Sequence, residues 1–277
     1  MTYAEATARL AAAGIDSPAY DAAQLIAHFC GADPASLPFA GEEDFLRAEL
    51  ADAVARRAAR EPLQYILGEW DFWRQTYRVA PGCLIPRADT ELLVDYAARH
   101  LPPGGRLLDL CTGSGCIAIS TLAERPDCTG DAVDFFPIPL ALAAENAAHN
   151  GVADRLNIRY GDVLHGEGAD GLYACILSNP PYIEQDVIPT LSPELAHEPA
   201  SALDGGADGL CFYRAILQHY RRHLAPGGCF IFEIGYNQAD ALRALARAAG
   251  MSCVIRRDFG GCDRMAILGE QEDNDET

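Results

Sequence analysis

The apolar run Leu172-Tyr173-Ala174-Cys175-Ile176-Leu177 ends on Ser178-Asn179-Pro180-Pro181-Tyr182. A run of that length and composition suits a strand buried on both faces. Two consecutive prolines give nothing to a sheet ladder and fit no helix interior, so the strand stops there. The Asn side chain is thereby held at a strand's carboxyl end, where open α/β sheets place their ligand sites. A primary amide offers both an acceptor and a donor. With the Pro180 carbonyl as a second acceptor and the Tyr182 ring as a flat face, this segment has the parts to grip a planar NH2 group. A bare Asn-Pro is more often an ordinary turn. Its surroundings decide between the two.

Those surroundings alternate strand with helix. Arg106–Leu110 reads as a buried strand, Cys111-Thr112-Gly113-Ser114-Gly115 as a tight loop, and a helix begins at Cys116. Further strands are expected near Asp131–Asp134, Leu156–Tyr160, Leu172–Leu177, Cys229–Ile234, Ser252–Arg257 and Arg264–Leu268, with helices between most of them. The last two are joined by a turn containing Gly260-Gly261, too short for a parallel crossover, so they should pair antiparallel. The expectation is an α/β fold: a doubly wound, mostly parallel seven-stranded sheet. Gly113, Gly115 and Ala118 satisfy Gly-x-Gly-x-x-Ala, a pattern shared by dinucleotide sites. Asp134, at the end of the second strand, is placed to accept ribose hydroxyls in either case. Asp109 inside the first strand and the Asn179 segment at the fourth favour S-adenosylmethionine, since no site for a hydride acceptor is visible.

The first sixty residues read as helices. Thr2 and Glu5 make a capping box, Ser17-Pro18 starts a second helix, and Ile26 and Phe29 continue its apolar face. Leu46, Leu50 and Val54 line the third, with Arg47, Arg56, Arg57 and Arg60 expected to face water. Glu61-Pro62 is expected to end the helices. Trp70, Phe72, Tyr77 and Val79 suggest a hairpin, and Asp89 or Thr90 a helix cap. The expected domains are residues 1–60, helical; 61–84, a hairpin linker; 85–270, catalytic; and 271–277, an acidic tail.

Composition narrows the partners. A net charge of −19 opposes a nucleic-acid surface. Ten scattered cysteines without a Cys-x-x-Cys pair fit a reduced, cytoplasmic setting. No apolar run is long enough to span a bilayer. His219 and His223 stand four apart on an expected helix, but without a third ligand they are read as exposed helix histidines, and no metal is expected.

Asn179-Pro180-Pro181-Tyr182, together with Glu61-Pro62-Leu63-Gln64-Tyr65-Ile66-Leu67-Gly68, Ile85-Pro86-Arg87, Asp89-Thr90-Glu91, Glu145-Asn146, Asn150-Gly151, His197-Glu198-Pro199, Leu203-Asp204-Gly205-Gly206 and Glu233-Ile234-Gly235, resembles the peptide chain release factor glutamine methyltransferases (the PrmC/HemK family). The likeness runs from about Thr2 to Leu268. It implies a class I S-adenosylmethionine-dependent methyltransferase with a small N-terminal helical domain that helps dock the release factor. The methyl acceptor would be the N5 amide nitrogen of the glutamine in a Gly-Gly-Gln loop. By the resemblance, Cys111, Thr112, Gly113, Ser114, Gly115, Asp134 and Val163 contact the donor and Asn179 borders both ligands. Asn179, Pro180, Pro181 and Tyr182 hold the glutamine, with Asn179, Pro180 and Tyr182 in catalytic roles. Glutamine methyltransferases of a ribosomal protein share the Asn-Pro-Pro-Tyr and rank second; a non-catalytic binding module of the same fold is the other alternative. Three positions depart from the family pattern. Cys111 stands where Gly is usual, Val163 where Trp is common, and Phe135-Phe136-Pro137 replaces an aliphatic residue and a helix cap.

Overall fold

The computed structural model describes residues 1–41 and 43–269. The tail expected at 271–277 therefore lies outside the described residues. The chain forms two compact units: Met1–Glu69 together with Leu191–His197, and Trp70–Thr190 together with Glu198 onward.

The first unit holds α1 (Tyr3–Ala12), α2 (Pro18–Cys30), α3 (Ala48–Ala58) and α4 (Leu63–Leu67). The capping box forms as expected: the Glu5 N–H donates to Thr2 Oγ1 at 3.1 Å and the Thr2 N–H to Glu5 Oε2 at 2.9 Å. Pro18 opens α2, and Gly31, at φ 72°, closes it. Leu10, Ile26, Leu50 and Val54 are fully buried. Leu46 is not: it precedes α3, whose N-cap Arg47 is extended, and it is 82% exposed. Nor does Glu61-Pro62 end the helices. Pro62 caps α4, because its fixed φ suits a helix start, and Gly68 at φ 76° stops it.

Arg57 is the larger correction. It was expected to face water, yet it is buried, because it follows Leu50, Ala53 and Val54 on the same face of α3. Its Nε donates to Asp21 Oδ2 at 2.7 Å and its terminal nitrogens to Glu194 Oε1 at 3.2 Å. Arg60 also reaches Glu194, at 2.9 Å, so the Leu191–His197 segment is tied to the helices by charge. Arg56 bonds Glu61 instead. Removing one partner from such a buried network leaves an uncompensated carboxylate. Arg57→Ala should lower the stability of the protein by about 3–5 kcal/mol, read as a fall in the midpoint of urea unfolding; an unchanged midpoint would show that Asp21 is not held by this pair.

The second unit opens with a hairpin, β1 (Glu69–Phe72) and β2 (Gln75–Arg78), and continues through α5 (Glu91–His100), β3 (Arg106–Leu110), α6 (Cys116–Glu124), β4 (Thr129–Asp134), α7 (Pro137–His149), β5 (Leu156–Tyr160), β6 (Tyr173–Ser178), α8 (Cys211–Tyr220), β7 (Leu224–Glu233), α9 (Ala239–Ala248), β8 (Cys253–Arg257) and β9 (Asp263–Leu268). The seven-stranded sheet has the order β5-β4-β3-β6-β7-β9-β8. Its first four pairings are parallel, and β9 pairs antiparallel with both β7 and β8. Between β8 and β9 the short Gly260-Gly261 turn permits nothing else. Residues of β6 alternate between two cores: Cys175 and Leu177 pack with Leu107, Ile117 and Ile231, while Ile176 packs with Leu108, Tyr213, Phe230 and Phe232. Burial on both faces is why this strand reads as an unbroken apolar run. His219 lies in α8 and His223 in the following 3-10 turn, so the two do not share one α-helix.

The chain leaves β3 for β4 and β5 on one side, then returns to β6 on the other. That reversal opens a crevice at the carboxyl ends. Beyond β6 the chain is pinned: the Ile183 N–H donates to the Leu203 carbonyl and the Gly205 N–H to the Ile183 carbonyl, both at 2.9 Å. Gly205 permits this approach. A Cβ there would lie 2.7 Å from Tyr182 Cα, 2.8 Å from Gly209 Cα and 2.9 Å from the Pro181 carbonyl oxygen. These are backbone atoms, with no flexible side chain to yield. Gly205→Ala should therefore lower the melting temperature and displace the Pro181-Tyr182 backbone; wild-type melting would show that the bridge tolerates a methyl group.

Candidate active site

One residue past the last β3–β6 pair, Leu110 with Ser178, come Cys111 and Asn179. Sheet register thus brings together two segments far apart in sequence. Ser178 secures the junction by donating its hydroxyl to the Leu110 carbonyl at 2.6 Å. Above it lies a cavity of about 480 Å³, lined in part by Cys111, Gly113, Asp134, Val163, Asn179 and Pro181.

The loop after β3 is built around two carboxylates. Asp109 is fully buried; its Oδ2 accepts from the Thr112 hydroxyl at 2.6 Å and from the Ala118 N–H at 3.3 Å. Its Oδ1 has no partner among the described residues, a buried acceptor left over beside the loop. Burial pushes the Asp109 carboxyl up to about 7, against those two donors. Asp134 accepts from the Gly113 N–H and the Phe136 N–H, each at 3.0 Å, one on each oxygen. Each oxygen keeps a lone pair for a further donor. Burial raises the Asp134 carboxyl as well, opposed by these backbone N–H groups.

Gly113, at φ 57°, has no atom closer than Cys83 Sγ, 3.7 Å from where a Cβ would sit. The backbone is open to a ligand there. Gly115 does different work: a Cβ would come within 2.7 Å of Ile119 Cδ1 and 3.2 Å of Ala143 Cβ, so its bareness lets α6 and α7 approach. Cys111 has φ 58°, the left-handed region that a glycine would occupy without strain. The departure from the family pattern is therefore a backbone matter. Phe136 caps α7 with no side-chain hydrogen bond, as its substitution for a capping residue implies.

The sequence-predicted residues are not equivalent. Thr112 and Ser114 are buried behind the wall; the Ser114 carbonyl accepts from Asn146 Nδ2 at 2.9 Å. Pro180 is buried, whereas Tyr182 is half-buried and donates its hydroxyl to Glu233 Oε1 at 3.1 Å. Asn179 donates from Nδ2 to Thr90 Oγ1 at 3.2 Å, and Thr90 donates to Glu233 Oε2 at 2.5 Å. Thr90 holds the N-cap position of α5, as expected, but makes no side-chain cap there, because its hydroxyl is committed to β7. Asp89 pairs with Arg264, Glu91 accepts from the Trp73 N–H at 2.7 Å, and Arg87 pairs with Glu198. This charged run therefore bonds outward and not within itself.

Sequence reasoning missed much of the cavity wall. Gly82, Cys83 and Leu84 approach from one side, and Ser201, Ala202, Asp204 and Gly206 from another. Leu203-Asp204-Gly205-Gly206 was the one available signal for the second group. Phe135 also lines the cavity, packed on Tyr160 at 5.4 Å between ring centroids.

Residues 2–68 match the PrmC N-terminal domain, and residues 88–211 match the methyltransferase small domain. The chain is 45% identical over 267 residues to the release factor glutamine methyltransferase of Cereibacter sphaeroides, covering 94% of each chain. It is 40% identical over 266 residues to that of Caulobacter vibrioides, covering 94% of this chain and 92% of the relative. Among solved structures, the ribosomal protein L11 methylase of Lactobacillus delbrueckii subsp. bulgaricus superposes with a TM-score of 0.52 at 19% identity, covering 71% of this chain and 86% of that one. That likeness speaks to the fold, a class I methyltransferase sheet. Identity of this extent, from the N-terminal helices through the sheet, places the chain in the release factor glutamine methyltransferase family.

Proposed function

We propose that this protein transfers a methyl group from S-adenosylmethionine to the N5 amide nitrogen of the glutamine in the Gly-Gly-Gln loop of a peptide chain release factor. One observation carries the reading: Asn179, its NH2 already bonded to Thr90, lines the same cavity as Gly113 and Asp134. The relatives' names point to the same acceptor.

The donor fits the residues present. Asp134 has oxygens free to accept ribose hydroxyls, Gly113 leaves its backbone open, and Asp109 keeps one buried acceptor. When bound, S-adenosylmethionine supplies a methyl group made electrophilic by its sulfonium. Phe135 and Val163 offer faces for the adenine. Cys111 and Gly113 border the donor, while Thr112, Ser114 and Gly115 hold the loop in shape from behind.

An amide nitrogen is a weak nucleophile because its lone pair is delocalised into the carbonyl. Asn179 Oδ1 and the Pro180 carbonyl accept its two N–H bonds, which favours positive charge developing on that nitrogen and turns its lone pair toward the methyl group. With the donor bound, this nitrogen would receive the methyl group as the donor's C–S bond gives way, and would then release one proton to solvent. Catalysis by positioning and electrostatics asks for no strong base. Tyr182 packs on the amide plane, Pro181 walls the pocket, and the helical unit, residues 1–60 with the segment around Glu194, docks the release factor. Such a partner places the enzyme in the cytoplasm.

Asp134→Ala should weaken donor binding by about 1.5–3 kcal/mol, the range for charged hydrogen bonds. Calorimetry on a variant shown by melting to be folded is the check, and unchanged affinity would remove Asp134 from the site. Absence of binding by the unaltered protein would instead support the non-catalytic module.

Asn179→Ala should act on the transition state. By analogy with loss of one oxyanion-hole donor, the cost is about 2.7–4 kcal/mol, or roughly 10²–10³ in single-turnover rate, with donor affinity little changed. A normal rate in the folded variant would sink the mechanism.

A further inference from the structure

We propose that Glu233, acting through the Thr90 hydroxyl, is a positioning residue that decides which end of the Asn179 amide meets the substrate, and so makes the pocket select a carboxamide over a carboxylate. The inference rests on the reading that Asn179 accepts a hydrogen bond from the target glutamine.

Hydrogen-bond polarity carries the argument. Glu233 is the last residue of β7 and is 2% exposed. Its backbone is held by the Tyr213 hydroxyl, which donates to the Glu233 carbonyl at 2.7 Å. Its side chain receives two hydroxyls, Thr90 at 2.5 Å on Oε2 and Tyr182 at 3.1 Å on Oε1. An ionised carboxylate has only lone pairs to offer, so both hydroxyls donate. Thr90 has a single hydroxyl proton. With that proton given to Glu233, Thr90 Oγ1 presents only lone pairs to Asn179, and the Asn179 amide can satisfy them only with its NH2 group. The reverse orientation would set Asn179 Oδ1 against the Thr90 lone pairs. Asn179 Oδ1 is thereby turned away from Thr90 and left for the ligand.

Burial raises the Glu233 carboxyl above its usual range, while the Thr90 and Tyr182 hydroxyls and the nearby Arg264 favour the charged form. One carboxylate thus orients both the amide and the tyrosine hydroxyl, through partners 143 and 51 residues distant in sequence. The consequence is selectivity. A pocket that presents an oxygen accepts the N–H of a glutamine and opposes the charge of a glutamate in its place. With the amide reversed, the same pocket would present an NH2 and welcome a carboxylate. Sites that discriminate in this way do so by leaving the wrong ligand's polar groups facing an unsuitable partner.

The test uses the full chain, a purified release factor as methyl acceptor, and the same factor with its target Gln→Glu as competitor. Thr90→Val keeps the shape and removes the hydroxyl; Thr90→Ser keeps the hydroxyl. Thr90→Val should slow single-turnover methylation by about tenfold, the order of one net hydrogen bond, and shrink the preference for the glutamine over the glutamate factor by a similar factor. Donor affinity should be unchanged. Thr90→Ser should restore both rate and preference to within about twofold. Glu233→Gln, which can offer Thr90 a donor, should show the same loss of preference; if it melts below the assay temperature, the Thr90 pair alone decides. Wild-type rate and preference in folded Thr90→Val, beside a slow Asn179→Ala, would overturn the relay and leave the amide reading standing. A slow Thr90→Val with unaltered preference and no rescue by serine would also overturn it, showing a packing role only. A normal rate in Asn179→Ala would instead bring down the reading on which the relay rests.

Discussion

Everything in the second unit depends on the parallel pairing of β3 with β6. Four residues of each strand are in register, from Leu107 with Cys175 to Leu110 with Ser178. Because parallel neighbours end at the same edge, the next residue of each chain enters the site: Cys111 on one side, Asn179 on the other. Both strands are central and buried on two faces, so a slip of one residue would turn apolar side chains of one core into the other. The register is therefore held by packing, and the distance between donor loop and acceptor segment is held with it. The Ser178–Leu110 bond fastens the last rung.

Around that junction the protein uses carboxylates that are largely withdrawn from water. Asp109, Asp134 and Glu233 are each buried, and burial raises each of them. Each is met by donors of a particular kind. Asp109 and Asp134 receive backbone N–H groups, which shape the loop, and Asp109 also takes a threonine hydroxyl. Glu233 receives the side-chain hydroxyls of Thr90 and Tyr182, which it orients in turn. A buried carboxylate with too few donors would take up a proton and lose this ordering power. Good geometry here is a matter of counting protons on hydroxyls as much as of distance. In the helical unit, buried Arg57 is likewise met by partners of matching kind, the carboxylates of Asp21 and Glu194.

Local patterns were legible because they depend on neighbours in the chain. The capping box at Thr2, the helix opened by Pro18, the strand Arg106–Leu110 and the stop at Pro180-Pro181 follow from residues within a few positions of one another. The antiparallel β8–β9 pair followed from the length of one turn. Where local reasoning misplaced residues, a distant partner or a shared face was responsible. Arg57 looked like a surface cation until Glu194, 137 residues on, joined Asp21 around it. Thr90 does stand at the N-cap of α5, but its hydroxyl goes to Glu233, 143 residues away, and not to the helix.

The amino-acid sequence by itself determined most of the elements, the doubly wound sheet and the two segments that meet at the site, since periodicity, prolines and glycines act over short spans. It also carried the family resemblance. Tertiary structure alone decided which residues close the cavity, why Gly205 must lack a side chain, and which way the Asn179 amide faces. Those outcomes depend on single protons and on backbone approaches of a few ångströms, between residues that only the completed fold brings together.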